Sequence, residues 1–515
     1  MKAKFFMVII FSLIIFNQGC ELEMEEFTKI TPDYFYKTEK DAQLAIAALY
    51  SNSFTGNFFR ASPYWGMLNV SDISAGDMQT CSYNNDFENL RNHQFTETNG
   101  YNSQNFFSNY NQISAARDVI KQLEKMEISE NVKQSYIAEA NAIAGWKAYL
   151  LFDFYGSLPH PTDEMLENPS GLTFPNRPST EEYVTIIENF FSMKNNLMNP
   201  DYGSNFGRVN KGIANMVLMK LYMQEAARTG NANFWTKAKT CAEEIIGLGV
   251  YELQDNYSDI FTVSNKRSHE VIYSSPSTYT FNGNSWHAEA LPNNYPSKLN
   301  RTTGAWGGIK LLWSFYDTFN QNDLRLSGMA AEYVTDKGLV INRQNPLDSR
   351  HGLGTGPIPV KYQVDDNQVG SVGGWDMIVY RYADVLLSMA EILNELGTSA
   401  NVSAPLMTQV AKDGSNYQSD GGKTALSFVN AVRVRAGLEP FANLSKEQLR
   451  DSLLQERSHE LYSEGSRRRD LIRYQMITNG QGYKKFDDKT HKFLFPIPVS
   501  FINEYRGNIS QNPGY

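Results

Sequence analysis

Residues 456–474 read Glu456-Arg457-Ser458-His459-Glu460-Leu461-Tyr462-Ser463-Glu464-Gly465-Ser466-Arg467-Arg468-Arg469-Asp470-Leu471-Ile472-Arg473-Tyr474. Glu456, Glu460 and Glu464 recur every four residues, which sets them on one face of a helix. Arg467, Arg468 and Arg469 follow directly after Gly465. Carboxylates and guanidinium groups this close predict an ion-pair network that locks the last helices together. A catalytic carboxylate pair is the sharper alternative, but no nucleophile or metal-ligand set accompanies these acids. His459 reads as a packed or surface histidine, not an acid–base group.

Amphipathic helices are predicted on both sides of this stretch. Upstream they cover 425–435 and 377–396, the latter with Ile378, Tyr382, Val385, Leu386, Met389, Leu393 and Leu396 on one stripe and Gly397 as its stop. A third runs from Ser445 to about Tyr462. In the first half, helical spacing covers 41–51, 106–126 and a segment from Ser129 to Gly156. Further helices run from Thr180, read as an N-cap, to about Met198, and as a pair over 211–227 and 234–248. Paired helices of this length suggest tetratricopeptide-like units, with Gly145-Trp146 as a loose match. Between 249 and 374 the periodicity fades, apart from 311–319, and Asn, Ser, Gly, Thr and aromatic residues crowd together. That stretch reads as loops and short strands carried on a helical frame, where binding residues tend to sit. Pro496 and Pro498 predict an extended tail.

The 515 residues carry a formal net charge of -9 without a basic block, which argues against a nucleic-acid partner. Seven His show no metal spacing, and no metal or other cofactor is expected. Asp413, Ser415, Asn416 and Asp420 offer oxygen ligands but lack the spacing of a calcium loop, so they read as a polar surface loop. Cys81 and Cys241 could pair or be two buried thiols; the apolar side of a helix favours the second for Cys241. The chain holds 30 Phe, 29 Tyr and 7 Trp, enough rings to build a core and still expose some.

Lys2 and Lys4, an apolar run from Phe5 to Phe16, and Gly19-Cys20 form an export signal over 1–19, too short to span a membrane. Cys20 after a small residue resembles a bacterial lipobox, although Asn17 and Gln18 depart from its usual pattern. Cys20 is thus the expected lipidation site. The acidic run 21–26, within a tether over 20–30, is similar to the tag that places lipoproteins on the outer face of the outer membrane in Bacteroidota-type bacteria.

Four motifs stand in order in the second half. They are 380–391 (Tyr380-Arg381-Tyr382-Ala383-Asp384 onward), 430–438 (Asn430-Ala431-Val432-Arg433-Val434-Arg435 onward), 456–474, and Phe495-Pro496-Ile497-Pro498 leading to Gln511-Asn512-Pro513-Gly514-Tyr515. Together they closely resemble the SusD/RagB family of outer-membrane nutrient-binding lipoproteins. The first half resembles it more weakly, with Phe106 and Phe107 where the family often carries Trp. The resemblance implies a mainly α, SusD-like fold: a tetratricopeptide-like helical-repeat scaffold with a loop-rich ligand-binding portion and few short strands. One fold would comprise an N-terminal region, 31–248, and a C-terminal region, 249–515, the latter loop-rich over 249–374 and helical with a strap over 375–515. It also implies a non-catalytic protein on the extracellular face of the outer membrane, lipid-anchored, which captures oligosaccharide and delivers it to a SusC-type TonB-dependent transporter. The alternative is a helical-repeat interaction protein, or a peptide-binding lid of such a transporter, without a glycan site.

A sugar needs a flat ring for its C–H face and fixed polar partners for its hydroxyls. Trp286, within Asn282-Gly283-Asn284-Ser285-Trp286-His287, and Trp306, beyond Arg301 in Arg301-Thr302-Thr303-Gly304-Ala305-Trp306-Gly307-Gly308, are the leading candidates. Tyr295 is a weaker one, and Arg301 supplies a guanidinium. In the polar loop 72–85, Asp77, Tyr83, Asn84 and Asn85 are candidates by local chemistry.

Overall fold

The computed structural model describes residues 35–53, 66–80, 89–94, 96–160, 174–280, 283–297, 305–368, 370–407, 418, 420–478, 483–485 and 493–515. Helices α1 (Glu39–Ser53) and α2 (Met67–Ala75) precede a long pair, α3 (Gly100–Glu124) and α4 (Glu130–Tyr155), which pack along each other. Helix α5 (Thr180–Phe190) packs on α4 and begins one residue earlier in its cap than expected. Ser179, not Thr180, is the N-cap, and it forms a capping box with Glu182. Helices α6 (Lys211–Thr229) and α7 (Ala232–Gly247) form the next pair, turned at Gly230-Asn231. The paired-helix scaffold is as the sequence predicts. Cys241 is a buried free thiol, its pKa pushed up to about 12 by burial. Its possible partner Cys81 lies outside the described residues.

The middle supplies short strands: β1 (Met78–Thr80), β2 (Val271–Ser275), β3 (Ile309–Leu311), β4 (Met329–Ala330), β5 (Tyr333–Val334), β6 (Val340–Ile341), β7 (Ile358–Pro359) and β8 (Met377–Arg381). The strands pair two by two and antiparallel, β1 with β3, β2 with β8, β4 with β7 and β5 with β6. Two very short helices, α8 (Trp286–Ala290) and α9 (Trp313–Tyr316), sit among them. The expected helix over 377–396 is thus a strand followed by α10 (Tyr382–Leu396). All five side chains of β8 are buried, so the polar alternation that marks a half-exposed strand is missing and the run continues the helical stripe unbroken. The expected helix over 311–319 is likewise mostly turn around α9.

Helices α11 (Ala425–Arg435), α12 (Lys446–Leu461) and α13 (Arg467–Arg473) complete the frame, and α12 starts with a capping box, Ser445 to Gln448. Trp146 of α4 ties the halves together: its indole N–H donates to the Tyr380 hydroxyl at 3.1 Å and its ring meets Tyr273 edge-on at 4.8 Å.

The tail forms the expected strap. The Phe495 N–H donates to Phe154 O at 2.6 Å, and the Gln511 amide pairs with both the N–H and the C=O of Ile497. Asn512 Nδ2 donates to Tyr155 O and Phe495 O. These two side chains do for the Pro-interrupted strap what a neighbouring strand would do. After Pro498 the chain adds one short turn, α14 (Val499–Glu504).

The acidic face of α12 is buried, and its partners come from far away in sequence. Glu460 Oε1 accepts from Arg381 Nη1 at 2.5 Å and from Arg435, and Oε2 faces Arg325 Nη1 at 3.1 Å. Glu456 takes Arg325 at 2.6 Å and Arg433 at 2.7 Å. Glu464 takes Lys361 and, at 2.8 Å, Arg381 Nε. Glu270 accepts from Arg381 and Arg435, and Asp323 grips Arg325 through both oxygens. Five carboxylates thus meet five cations. A second buried cluster joins Lys220, Arg457 and Arg473 to Asp384, Asp470 and Glu391.

The expected network therefore exists, but Arg467–Arg469 are not its partners. Arg467 pairs with Asp77 at 2.9 Å, and Arg469 with Asp153 at 2.6 Å. The turn at Gly465 explains this. Gly465 has φ 73 and reverses the chain after α12, and its N–H donates to Asp72 at 2.9 Å. The arginines then leave on a different side. His459 is packed, stacked on Phe319 at 3.9 Å, and burial pulls its pKa to about 3.

Burial alone would raise the Glu460 pKa, but Arg435, Arg381 and Arg325 overcome it and hold the carboxyl well below its ordinary range. Asp384 is held down in the same way by Lys220 and Arg457. A group with a depressed folded-state pKa contributes stability above its unfolded value and loses it on acidification. The urea midpoint should therefore fall as pH drops below about 4.5, the ordinary Glu value. Glu460→Gln should cost about 3–5 kcal/mol at neutral pH by urea unfolding, since three guanidinium groups lose their shared counter-charge. Asp72 runs the other way. Burial raises its carboxyl to about 8, so its contribution is complete below about 4 and lost as pH rises toward 8. Asp72→Asn should flatten the pH dependence of stability between pH 4 and 8; an unchanged slope would refute the assignment.

Candidate functional site

The loops of the middle region converge beside β1 and β3. Their register sets Met78 opposite Leu311 and Thr80 opposite Ile309. The chain thus leaves β1 toward 81–85 from a point three residues from Trp306. Trp306 is 37% exposed, on a loop fixed by its own backbone: its N–H donates to Ala288 O at 2.7 Å, and its carbonyl accepts from Arg350 Nε at 3.2 Å.

Around Trp306 stand two further loops. In 346–353, Asp348 Oδ1 accepts the N–H groups of Arg350 and His351 at 2.8 and 2.7 Å, and Oδ2 faces His351 Nδ1 at 2.8 Å. These bonds, that from the His351 N–H first, lower the pKa of Asp348. The turn presents an exposed carboxylate and an exposed imidazole. In 291–297, Asn294 Nδ2 donates to His351 O at 2.8 Å, and the Tyr333 hydroxyl lies 2.9 Å from Asn294 Oδ1 and 3.1 Å from His351 O. Tyr295 is half-buried, its ring 5.0 Å from that of Tyr333. Leu347, which precedes Asp348, is exposed and held at φ 55, a strained conformation for a leucine. Trp306 is joined through Arg350 to the loop that presents Asp348 and His351, and that loop is joined to Asn294, so a partly exposed ring and hydrogen-bonding groups suited to a polyhydroxylated ligand sit on connected loops.

The structure separates the expected site residues. Trp306 and Tyr295 lie on this face. Trp286 does not: it is 1% exposed, in the core, with its indole N–H donating to Pro359 O at 3.0 Å. Its polar neighbours satisfy buried groups. Asn284 accepts the Trp286 N–H, and Ser285 donates to Glu289 at 3.0 Å. Gly283 is there for space, since a Cβ would collide with Val372. Asp77 is also removed from the face. It is buried and paired with Arg467, burial raising its pKa against the pull of that guanidinium. Arg301, Tyr83, Asn84 and Asn85 lie outside the described residues, as do Cys20 and Asp413–Asn416. Asp420 is occupied at the start of α11, its carboxylate accepting from the hydroxyls of the N-cap Thr424 and of Ser427. Among the described residues no cluster of His, Cys, Asp and Glu is built to hold a metal. Glu456, Glu460 and Glu464 are buried and neutralised by ion pairs.

Sequence reasoning missed Asn294, Asp348 and His351. The one available signal was Asp348-Ser349-Arg350-His351, a pattern that favours a side-chain-capped turn.

The scaffold is a frame of paired helices that carries a loop-built face around Trp306. Residues 276–515 match the model of the SusD family. The starch-binding protein SusD of Bacteroides thetaiotaomicron is 24% identical over 77% of this chain and 75% of its own length. A SusD-like protein of Formosa agariphila is 22% identical over 99% of each chain. Among solved structures, a SusD superfamily protein from Parabacteroides distasonis superposes with a TM-score of 0.75 at 18% identity, covering 95% of this chain and all of that one. Surface glycan-binding protein A from Bacteroides thetaiotaomicron, in complex with laminarihexaose, gives 0.70 at 20% identity, over 92% and 99%. Over residues 276–515 the chain is thus similar to the SusD family.

Trp286→Ala should cost about 3–5 kcal/mol in urea unfolding, as expected for a large ring removed from a core. Trp306→Ala should leave the unfolding midpoint nearly unchanged. The reverse order would place the exposed ring in the wrong tryptophan.

Proposed function

We propose that this chain is a non-catalytic, lipid-anchored protein of the outer cell surface that binds oligosaccharide and delivers it to a SusC-type TonB-dependent transporter. The observation that carries the binding reading is the partly exposed Trp306 on a loop joined through Arg350 to the loop of Asp348 and His351, and through His351 to Asn294, all held by loop hydrogen bonds. Such preorganisation spares the ordering cost of binding. Tyr295 contributes a second ring edge, and Arg301, Tyr83, Asn84 and Asn85 remain candidates by their chemistry in the sequence. The names of two relatives, a starch-binding protein and a glycan-binding protein crystallised with laminarihexaose, support a glycan as ligand.

Anchoring rests on Cys20 and the acidic tether behind it. No helix among the described residues is long and apolar enough to cross a membrane. The transporter partner and the outer-membrane location follow from the family reading.

Isothermal titration against a panel including laminarihexaose and maltoheptaose tests the binding claim. Specific binding should weaken at least tenfold in Trp306→Ala, the scale of a lost stacking contact, and stay unchanged in a surface control such as Lys121→Ala. Absence of binding to every glycan would refute it. Cys20→Ala should abolish acyl labelling and release the protein from membranes; persistent labelling would defeat the anchoring claim.

A further inference from the structure

Trp313 is a second indole on the same loop system, and its exposed side is covered. Its N–H donates to Leu353 O at 3.0 Å, so the ring is anchored at its edge. The Arg343 guanidinium lies over the ring, 4.8 Å from its centroid. Arg343 is held there by a two-pronged pair with Asp317, at 2.6 and 2.9 Å. Both members of that pair are about half exposed, at 48% each. An arginine clasped by an aspartate over a half-buried tryptophan in solvent makes a removable cover.

The position matters. Loop 346–353 touches Trp306 through Arg350 and Trp313 through Leu353. Those two loop residues are three apart, at most about 11 Å along the backbone. Trp306, through its carbonyl, and Trp313, through its indole N–H, therefore both hold one short loop.

We propose that Trp313 is a second sugar-stacking position, closed in the free protein by the Arg343–Asp317 clasp and opened when a longer oligosaccharide reaches past Trp306. This deepens the proposed binding role and rests on it. An exposed ion pair and an exposed cation–π contact are each weak, so the cover yields to a ligand that replaces it with a stacked ring. The clasp favours chains long enough to use both rings, because short ligands gain nothing from displacing it. Its two charges also make it sensitive to salt.

The test uses full-length protein with maltose, maltoheptaose, laminaribiose and laminarihexaose in isothermal titration. Arg343→Ala should bind the better-bound heptaose or hexaose about 3- to 30-fold more tightly, the range spanned by two weak contacts, with the disaccharide unchanged. Asp317→Asn should shift affinity in the same direction by less. Trp313→Ala should lose the gain in the Arg343→Ala background. In the wild type, affinity for the longer chain should rise from 50 mM to 500 mM salt, a rise absent in Arg343→Ala. Unchanged or weaker binding in Arg343→Ala, with Trp306→Ala still defective, would overturn the covered position and leave the Trp306 face standing. Binding of none of these sugars to any form would overturn both.

Discussion

The carboxylate of Glu460 is the point on which the structure turns. It is fully buried and touched by Arg325, Arg381 and Arg435. Arg381 ends β8, Arg435 ends α11, and Arg325 sits in a turn between the loop region and β4. Three separate elements therefore meet at one side chain of α12. Buried charges cost several kcal/mol each in desolvation, and their attraction returns that only when every partner is placed well. The arrangement therefore tolerates one assembly: a slip of one element leaves a charge buried and alone. The loop region inherits its position from this knot, because Arg325 and Lys361 bracket β4 to β7 and both end on α12, at Glu456 and at the Glu460 carbonyl.

Much of this was legible in the sequence, for reasons that can be named. The four-residue spacing of Glu456 and Glu460 gave their common face, whereas Glu464 falls past the end of α12 at Leu461, and the order of the four motifs gave the fold. Helix ends at Gly156 and Gly397 follow from residues that accept a left-handed or otherwise strained backbone. The partners of the acids were not legible. Local Arg467–Arg469 were the nearest candidates, but ion pairing is decided by spatial neighbours, and Gly465 turns those arginines toward Asp77 and Asp153. β8 was hidden for a related reason: a strand buried on both faces has no polar alternation to show.

The proposed binding face divides in the same way. Trp286 and Trp306 have nearly the same surroundings in sequence, glycine and small polar residues. In one case those residues satisfy buried backbone and make room; in the other they build a solvent-facing loop. Composition records which side chains are present and not which way they point. Trp313 shows the converse, since its apolar neighbours Leu311, Leu312 and Phe315 disguise a ring that reaches the surface. A rigid, charge-locked frame beneath short, internally hydrogen-bonded loops lets such a face vary without disturbing the fold, which suits a binding function.

The central claim, that the loop face around Trp306 is where ligand binds, is tested most directly by a crystal structure with the tightest-binding oligosaccharide. The account predicts a sugar ring stacked on the Trp306 indole, with hydroxyls within hydrogen-bond distance of groups on loops 291–297 and 346–353. A sugar bound elsewhere on the chain, with Trp306 untouched, would contradict it.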